Sequence, residues 1–539
     1  MNLTRSGTET RHDAHGAPRR VRNVLFIMCD QLRRDHLGCY GHATIRTPHI
    51  DALAAAGTRF DRCYAQAAVC GPSRMSTYTG RYVHSHGSTW NFVPLSVQIP
   101  TLGEYMGAAG LRTGLVGKSH VVPDLEGIKR LDIDPASPRG VSLAQGGFDP
   151  VARHDGIVLD SFLQRRPHPY NSHLHARGYA GFNAWHDWAN SGLDEEGQLR
   201  TGWRLRNARF PARVRPEDSE TAWSTDQAIE FIRAQGEAPW CLHVSYIKPH
   251  WPYMAPQPYL SMYGAADIQA AARSHEERID AHPVVAAFRQ HTESLTFSEP
   301  GVRETVLPAY MALISEIDTH VGRLLQALHR EGRADDTLVV LTSDHGDMLG
   351  DHWLGEKELF FEPSAGVPLI VYDPTSSASG LVVDSMVESI DLIPTFLEAL
   401  GQPADRQWLE GHSLIPLIHG AATQVRETAF SELDYAFYGA RTTLGLGPNA
   451  ARSVMACEKR WKYVHHLGFA PQLFDLEGDP HELVDLGRSP GHAAIRAQMH
   501  ERLVAWMSAR RNRSGMADAG VDDLLAHRSV PGSIEIGVW

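Results

Sequence analysis

Val24-Leu25-Phe26-Ile27-Met28-Cys29 is an unbroken apolar run that ends on Asp30-Gln31. A run of this length, rich in branched side chains and closed by polar residues, reads as a strand buried on both faces, the kind found in parallel sheets. Three further runs repeat the pattern. Residues 111–116 lead into Gly117-Lys118-Ser119-His120, residues 241–247 into Lys248-Pro249-His250, and residues 338–342 into Ser343-Asp344-His345-Gly346-Asp347. Helical patterns separate them, over 47–56, 101–109, 221–235 and 307–331. Alternating strand and helix predicts a doubly wound α/β fold. Ligands of such sheets gather outside the carboxyl ends of the strands. The Asp, Gln, Lys and His residues after these runs therefore describe one site.

The rhythm breaks over residues 121–220, which are rich in Gly, Pro, His and aromatic residues. We read this stretch as a structureless insertion forming a lid or pocket wall, with Tyr170, Trp185 and Trp188 as candidate contacts; ordinary loop packing is the alternative. After about residue 425, segments 427–432, 452–457 and 462–465 read as short strands and 493–509 as an amphipathic helix. This predicts a smaller antiparallel sheet closed by a helix. The expected division is a disordered segment 1–20, an α/β domain over 21–425, a C-terminal subdomain over 426–510 and a tail over 511–539. The apolar end of that tail, SIEIGVW, is expected to dock on a neighbouring subunit of a homo-oligomer such as a tetramer.

Lys and Arg number 51 against 63 Asp and Glu, a formal charge of −12, with no basic stripe. Nucleic acid is an unfitting partner, and any anion site must concentrate positive charge locally. The six cysteines show no framework spacing and read as reduced thiols. No run approaches the ~20 apolar residues of a membrane span, and residues 1–23 lack the apolar core of a secretory signal. A cytoplasmic location is the expectation.

Cys70-Gly71-Pro72-Ser73-Arg74 carries the most specific chemistry. Pro72 suits the first position of a helix that residues 73–79 continue, so Cys70 falls in the positive field of a helix N-terminus with the charge of Arg74 beside it. That is a site prepared for an anion. Asp344-His345 pairs a carboxylate with an imidazole at a strand end, which suits a divalent cation; a turn cap is the other reading. Asp30 offers a second carboxylate and Gln31 a neutral oxygen. A histidine donor makes the set less purely oxygenic than Ca²⁺ prefers, so Mn²⁺ competes with it. His84, His86, His465 and His466 read as packing residues, and Asp347, Asp351 and His352 as shapers of the loop.

Cys-x-Pro-x-Arg resembles the signature of the sulfatases, and the likeness extends over residues ~20 to ~510. The segments NVLFIMCDQLRRDHLGCYG, TPHIDALAAAGTRFDRCYAQAAVCGPSR, GKSH, SYIKPHWPY, SDHGDMLGDHWLGEKELFFE, DLIPTFLEALG and LFDLEGDPHELVDL resemble the family's signatures in order. The resemblance implies an alkaline-phosphatase-like, mostly parallel sheet flanked by helices. It implies that Cys70 is converted by a formylglycine-generating or equivalent enzyme to an aldehyde whose hydrate is the nucleophile. Asp30, Gln31, Asp344 and His345, with an oxygen of residue 70, resemble the metal ligands; many sulfatases carry a second Asp where Gln31 stands. Arg74 resembles the arginine that holds the hydrate, and Asp344 its proton acceptor. Lys118, His120, His250 and Lys357 resemble the residues around the sulfate, His250 protonating the departing alcohol with Lys357 beside it and His120 taking a proton in the release step. Asn91 is a further substrate contact or a turn residue.

For the substrate, a small anionic ester, two readings compete. Lys118 and His120 resemble arylsulfatases. The Asp30-Gln31 opening, the Asp344-His345 pair and the apolar tail resemble phosphonate monoester hydrolases, which also cleave phosphodiesters. We favour sulfate monoesters, with promiscuity toward phosphonate monoesters and phosphodiesters. A choline sulfatase, or a metal-dependent anion-binding protein without turnover, are further alternatives.

Overall fold

The computed structural model describes residues 20–404 and 407–509, together with 520, 522, 523 and 526. The expectations for segment 1–20 and for the tail 511–539 thus fall almost wholly outside the described residues. The strands in chain order are β1 (Asn23–Asp30), β2 (Thr58–Tyr64), β3 (Arg112–Gly117), β4 (Asp149–Arg153), a hairpin of β5 (Ser191–Leu193) and β6 (Leu199–Thr201), β7 (Trp240–Pro249), β8 (Thr337–Ser343), β9 (Gly366–Tyr372), β10 (Leu381–Val383) and β11 (Val387–Glu388). Nine of them form one sheet in the order β10-β2-β9-β8-β1-β7-β3-β4, with β11 also paired to β2. The block β8-β1-β7-β3-β4 is parallel throughout, and β9 runs antiparallel to both β8 and β2. The fold is the mostly parallel α/β architecture expected.

Strand β1 shows why its sequence lacks alternation. Its period of two sends successive side chains to opposite faces, and both faces are covered. Leu25, Ile27 and Cys29 enter one core; Val24, Phe26 and Met28 enter another. The first core is closed by helices at Glu220–Gln235 and Val302–Arg330, through Phe231, Ile232, Tyr310, Ile314 and Ile317. The second is closed by α1 (Cys70–Thr79) through Met75 and Tyr78, and by Leu102, Met106, Ile393 and Phe396.

Residues 121–220 are not structureless. They contribute short helices, the hairpin β5–β6 and β4, which borders the main sheet beside β3. Tyr170 and Trp185 are core residues: the Tyr170 hydroxyl donates to the Asp218 carbonyl at 2.8 Å and the Trp185 indole to Glu220 at 2.8 Å. Trp188 packs on the same core. Their aromatic content serves burial, as large rings commonly do.

The C-terminal sheet has the order β12 (Ala429–Asp434), β13 (Arg452–Cys457), β14 (Trp461–His466) and β15 (Gln472–Asp475), antiparallel throughout. β15 adds a strand to the three expected. The helix Ala493–Ser508 docks Met499 and Leu503 against Phe430, Tyr463 and Leu473. Among the described residues, no helix is long and apolar enough to cross a membrane.

Candidate active site

Four adjacent strands, β8, β1, β7 and β3, end side by side, and each ends on residues singled out above. Asp344 and His345 follow β8, Asp30 closes β1 with Gln31 after it, His250 follows β7, and Lys118 and His120 follow β3. Ligand atoms of Asp30, Cys70, Asp344 and His345 all lie within 4.8 Å of one another, and all four residues are buried. The His345 ring bonds the Gly346 carbonyl through Nδ1 at 2.8 Å, so Nε2 faces the cluster, 3.1 Å from the Cys70 sulfur. A backbone partner on one ring nitrogen is how a ligating histidine is oriented. Two buried carboxylates and one oriented imidazole fit a divalent cation.

Cys70 opens α1, two residues before the proline expected to start that helix; Val69 is the N-cap. The amide of Gly71 donates to Asn91 Oδ1 at 2.7 Å, which satisfies one of the free N–H groups of the first turn. Asn91 thereby fixes the turn and also faces the cavity above Cys70. One turn on, Arg74 is fully buried. Its Nε donates to Asp344 Oδ2 at 2.7 Å, and its Nη1 to the Lys118 carbonyl at 2.9 Å and to the Ser245 hydroxyl at 2.8 Å. Its Nη2 lies 3.4 Å from Asp30 Oδ2. Lys118 completes the set by an ion pair to the same Asp30 oxygen.

The electrostatics follow from this ring of cations. Burial pushes the Cys70 thiol up, but Lys118, Lys357 and His345, with a hydrogen bond from His120, hold it well below the usual thiol range. Burial and Cys70 push the Asp30 carboxyl up, and Lys118, His250 and Arg74 bring it to about 2. His345 is raised to about 9: burial opposes its charge, and Asp344 and Cys70 favour it more.

Cys70 forms the floor of a cavity of about 930 Å³, lined by Lys118, His120, His250, Lys357 and Asn91 as well. The structure thus brings the predicted metal, nucleophile and anion-binding residues to one place, but not the aromatic candidates of the insertion. Gln31 sits differently from a bare ligand: its Oε1 accepts from Lys357 at 2.8 Å and its Nε2 donates to Asp347. His250 Nε2 is 3.4 Å from Lys357 Nζ, and its Nδ1 bonds the Trp251 carbonyl at 2.7 Å. Sequence reading missed Ser245, the hydroxyl partner of Arg74, which sits inside an apolar strand pattern. It also missed Asp155, whose Oδ1 accepts the amide of Ser119 at 3.0 Å and braces the Lys118–His120 loop. Residues 153–162 of the insertion form part of the cavity wall, whereas Tyr170, Trp185 and Trp188 do not line it.

Sheet order and site together place the chain in the alkaline phosphatase superfamily. The sulfatase family profile matches residues 22–402, and that of the N-sulphoglucosamine sulphohydrolase C-terminal region matches residues 350–509. The chain belongs to the sulfatase family and is a sulfuric ester hydrolase. It is similar to the phosphonate monoester hydrolase SpPMH from Silicibacter pomeroyi, with a TM-score of 0.79 at 31% identity over 92% of this chain and 98% of that one. The multifunctional alkaline phosphatase superfamily protein PehA of Trinickia caryophylli is 29% identical over 92% of this chain and 96% of its own length. The choline-sulfatase of Rhizobium meliloti is 31% identical over 87% and 83%.

Proposed function

We propose that this enzyme hydrolyses sulfate monoesters in the arylsulfatase manner, with Cys70 matured to formylglycine by a formylglycine-generating enzyme and a divalent cation, Mn²⁺ or Ca²⁺, held by Asp30, Gln31, Asp344, His345 and residue 70. When present, the hydrated aldehyde supplies an oxygen nucleophile and the cation supplies Lewis-acid charge. The chain's own residues do the rest. Arg74 and the N-terminus of α1 fix the position of residue 70 against Asp344. Lys118, His120, His250 and Lys357 surround the space above it and neutralise a tetrahedral anion whose charge redistributes as the ester bond breaks. His250 Nε2, beside the Lys357 ammonium, is placed to protonate the departing alcohol. His120, just after β3, lies beside residue 70 and takes a proton there.

The observation that carries the sulfate reading is the pairing of Lys118 and His120 at the end of β3, both facing Cys70 across the cavity floor. Phosphonate monoester or phosphodiester hydrolysis is the second reading. It is supported by the likeness to SpPMH, a phosphonate monoester hydrolase that matches nearly the whole of both chains. The deciding test compares kcat/KM for an aryl sulfate and an aryl phosphonate monoester of the same phenol, on one preparation whose Cys70 conversion is read by peptide mass. A preference for sulfate that collapses in Lys118→Ala and His120→Ala supports the first reading. A preference for phosphonate replaces it with the second.

A further inference from the structure

The mouth of the active-site cavity is apolar to a degree that its chemistry does not require. Phe92 is 77% exposed, Phe437 57% and Phe162 51%, and all three line the cavity that has Cys70 at its floor. Exposed Ile157 and Leu159 line the same wall. Large apolar side chains left singly in water need no explanation, but a cluster of them around one opening marks a binding surface. These come from distant parts of the chain: a loop after α1, the insertion, and a loop after β12. Phe437 has built-in support. Phe437 stacks on Trp90 with centroids 5.5 Å apart, and Trp90 meets Tyr438 edge-on at 4.3 Å.

Most charged groups at the mouth are engaged already, and the exposed polar side chains Gln290, Thr292 and Glu293 sit together on one short segment of the wall. Arg153 holds Asp155 at 2.6 Å, Glu356 pairs with Lys357 at 3.0 Å, Glu358 accepts from Tyr438 at 2.9 Å, and His291 Nε2 accepts the amide of Ala440 at 3.0 Å. A sugar leaving group needs free donors and acceptors in convergent positions, because each hydroxyl taken from water without a partner costs binding. The cavity of about 930 Å³ is also far larger than a sulfate group requires, and volumes of this order hold drug-sized ligands.

We propose that Phe92, Phe162 and Phe437 form a clamp for the leaving group, and that the substrates are esters of bulky apolar alcohols, extended aryl or alkyl, rather than of carbohydrates. The proposal rests on the hydrolytic reading of the Cys70 site for its reaction and on the clamp alone for its alcohol. No covalent step is added to that reaction.

The test uses the full-length, Cys70-converted enzyme and two alcohols of similar acidity, phenol and 4-hydroxybiphenyl, each as its sulfate and as its phenylphosphonate monoester. The biphenylyl ester should exceed the phenyl ester in kcat/KM by about tenfold or more, through KM, since burying an added ring of that size is worth at least one decade. Phe162→Ser/Phe437→Ser, two exposed positions, should lose more than tenfold on the biphenylyl ester and under threefold on the phenyl ester. If only the phosphonates turn over, the sulfate reading fails and the clamp is judged on the phosphonates. If neither series turns over, calorimetric binding of 4-hydroxybiphenyl against phenol, in the enzyme and in the double variant, decides it. Equal constants for the two alcohols, equal losses on both, or a better carbohydrate sulfate would overturn the proposal.

Discussion

Lys357 donates to the Oε1 of Gln31 at 2.8 Å while the Nε2 of the same amide donates to Asp347, so one buried side chain ties the lysine beside His250 to the loop that carries Asp344 and His345. A carboxylate at position 31 has no proton to offer Asp347. Gln31→Ala should therefore leave Lys357 and Asp347 each short of a buried partner, at about 1–3 kcal/mol. Urea unfolding should show that loss, together with a fall of roughly tenfold in kcat, as Lys357 is no longer held against His250.

Arg74 is placed between two buried carboxylates, Asp30 and Asp344. Arg74→Met removes the cation and leaves them facing each other, which for a broken buried pair costs about 3–5 kcal/mol. The variant should be inactive and destabilised, and added divalent cation should restore more of its melting temperature than it adds to the parent. A lack of such rescue speaks against a metal at Asp30 and Asp344.

His345 bears on metal loading directly. In the unconverted chain its proton, held up to about pH 9 by Asp344 and the Cys70 thiolate, has to leave before Nε2 binds a cation. The apparent affinity for Mn²⁺ should thus climb by about tenfold per pH unit from pH 6.5 to 8.5. Titrations followed by metal analysis at three pH values measure that slope.

Lys248 precedes His250 by two residues and points away from the cavity. Its ammonium donates to the Pro252 carbonyl at 2.8 Å and to Asn190 at 3.0 Å, and lies 3.3 Å from Glu220. It is a positioning residue for the turn that presents His250. Lys248→Met leaves Glu220 buried with His154, Trp185 and Asn190 but without its lysine cation, and should cost about 3–5 kcal/mol. Lys248→Met/Glu220→Gln should cost less than the sum of the two single changes, as a double-mutant cycle reads for a coupled pair.

Glu316, inside the helix Val302–Arg330, is raised to about 7 because burial outweighs its hydrogen bond from Ser219 and the charge of Lys248. An unfolded glutamate loses its proton near 4.3. The native state therefore binds more protons than the unfolded state between those values, and this residue's contribution falls as pH rises through them. Glu316→Gln should match the parent near pH 4.5 and exceed it by about 2–3 kcal/mol at pH 8. Equal pH slopes in the two proteins contradict this assignment.

The strand ends were readable because a strand buried on both faces leaves an apolar run, and the first polar residue after it marks the ligand edge of the sheet. Cys70, Arg74, Asp344 and His345 followed from that rule and from local spacing. Ser245 did not, since a hydroxyl inside an apolar strand looks like filler until Arg74 is seen against it. β4 was invisible for the opposite reason: DPVAR borders the sheet with Asp149, Pro150 and Val151 exposed, so no apolar period forms. The aromatic residues of 121–220 misled because a ring in a core and a ring in a pocket wall carry the same letters. What separated Trp185 from Phe162 was a hydrogen-bond partner more than thirty residues away, Glu220.

The parallel block β8-β1-β7-β3 has a consequence for inheritance. Asp30, Asp344 and Lys118 are anchored to adjoining strands and braced by one buried arginine, so a change to any of the three strains the others. The rim above is assembled from separate loops that share no such bracing. Descendants of this chain can exchange the alcohol they accept by altering exposed loop positions one at a time, while the chemistry beneath passes on intact.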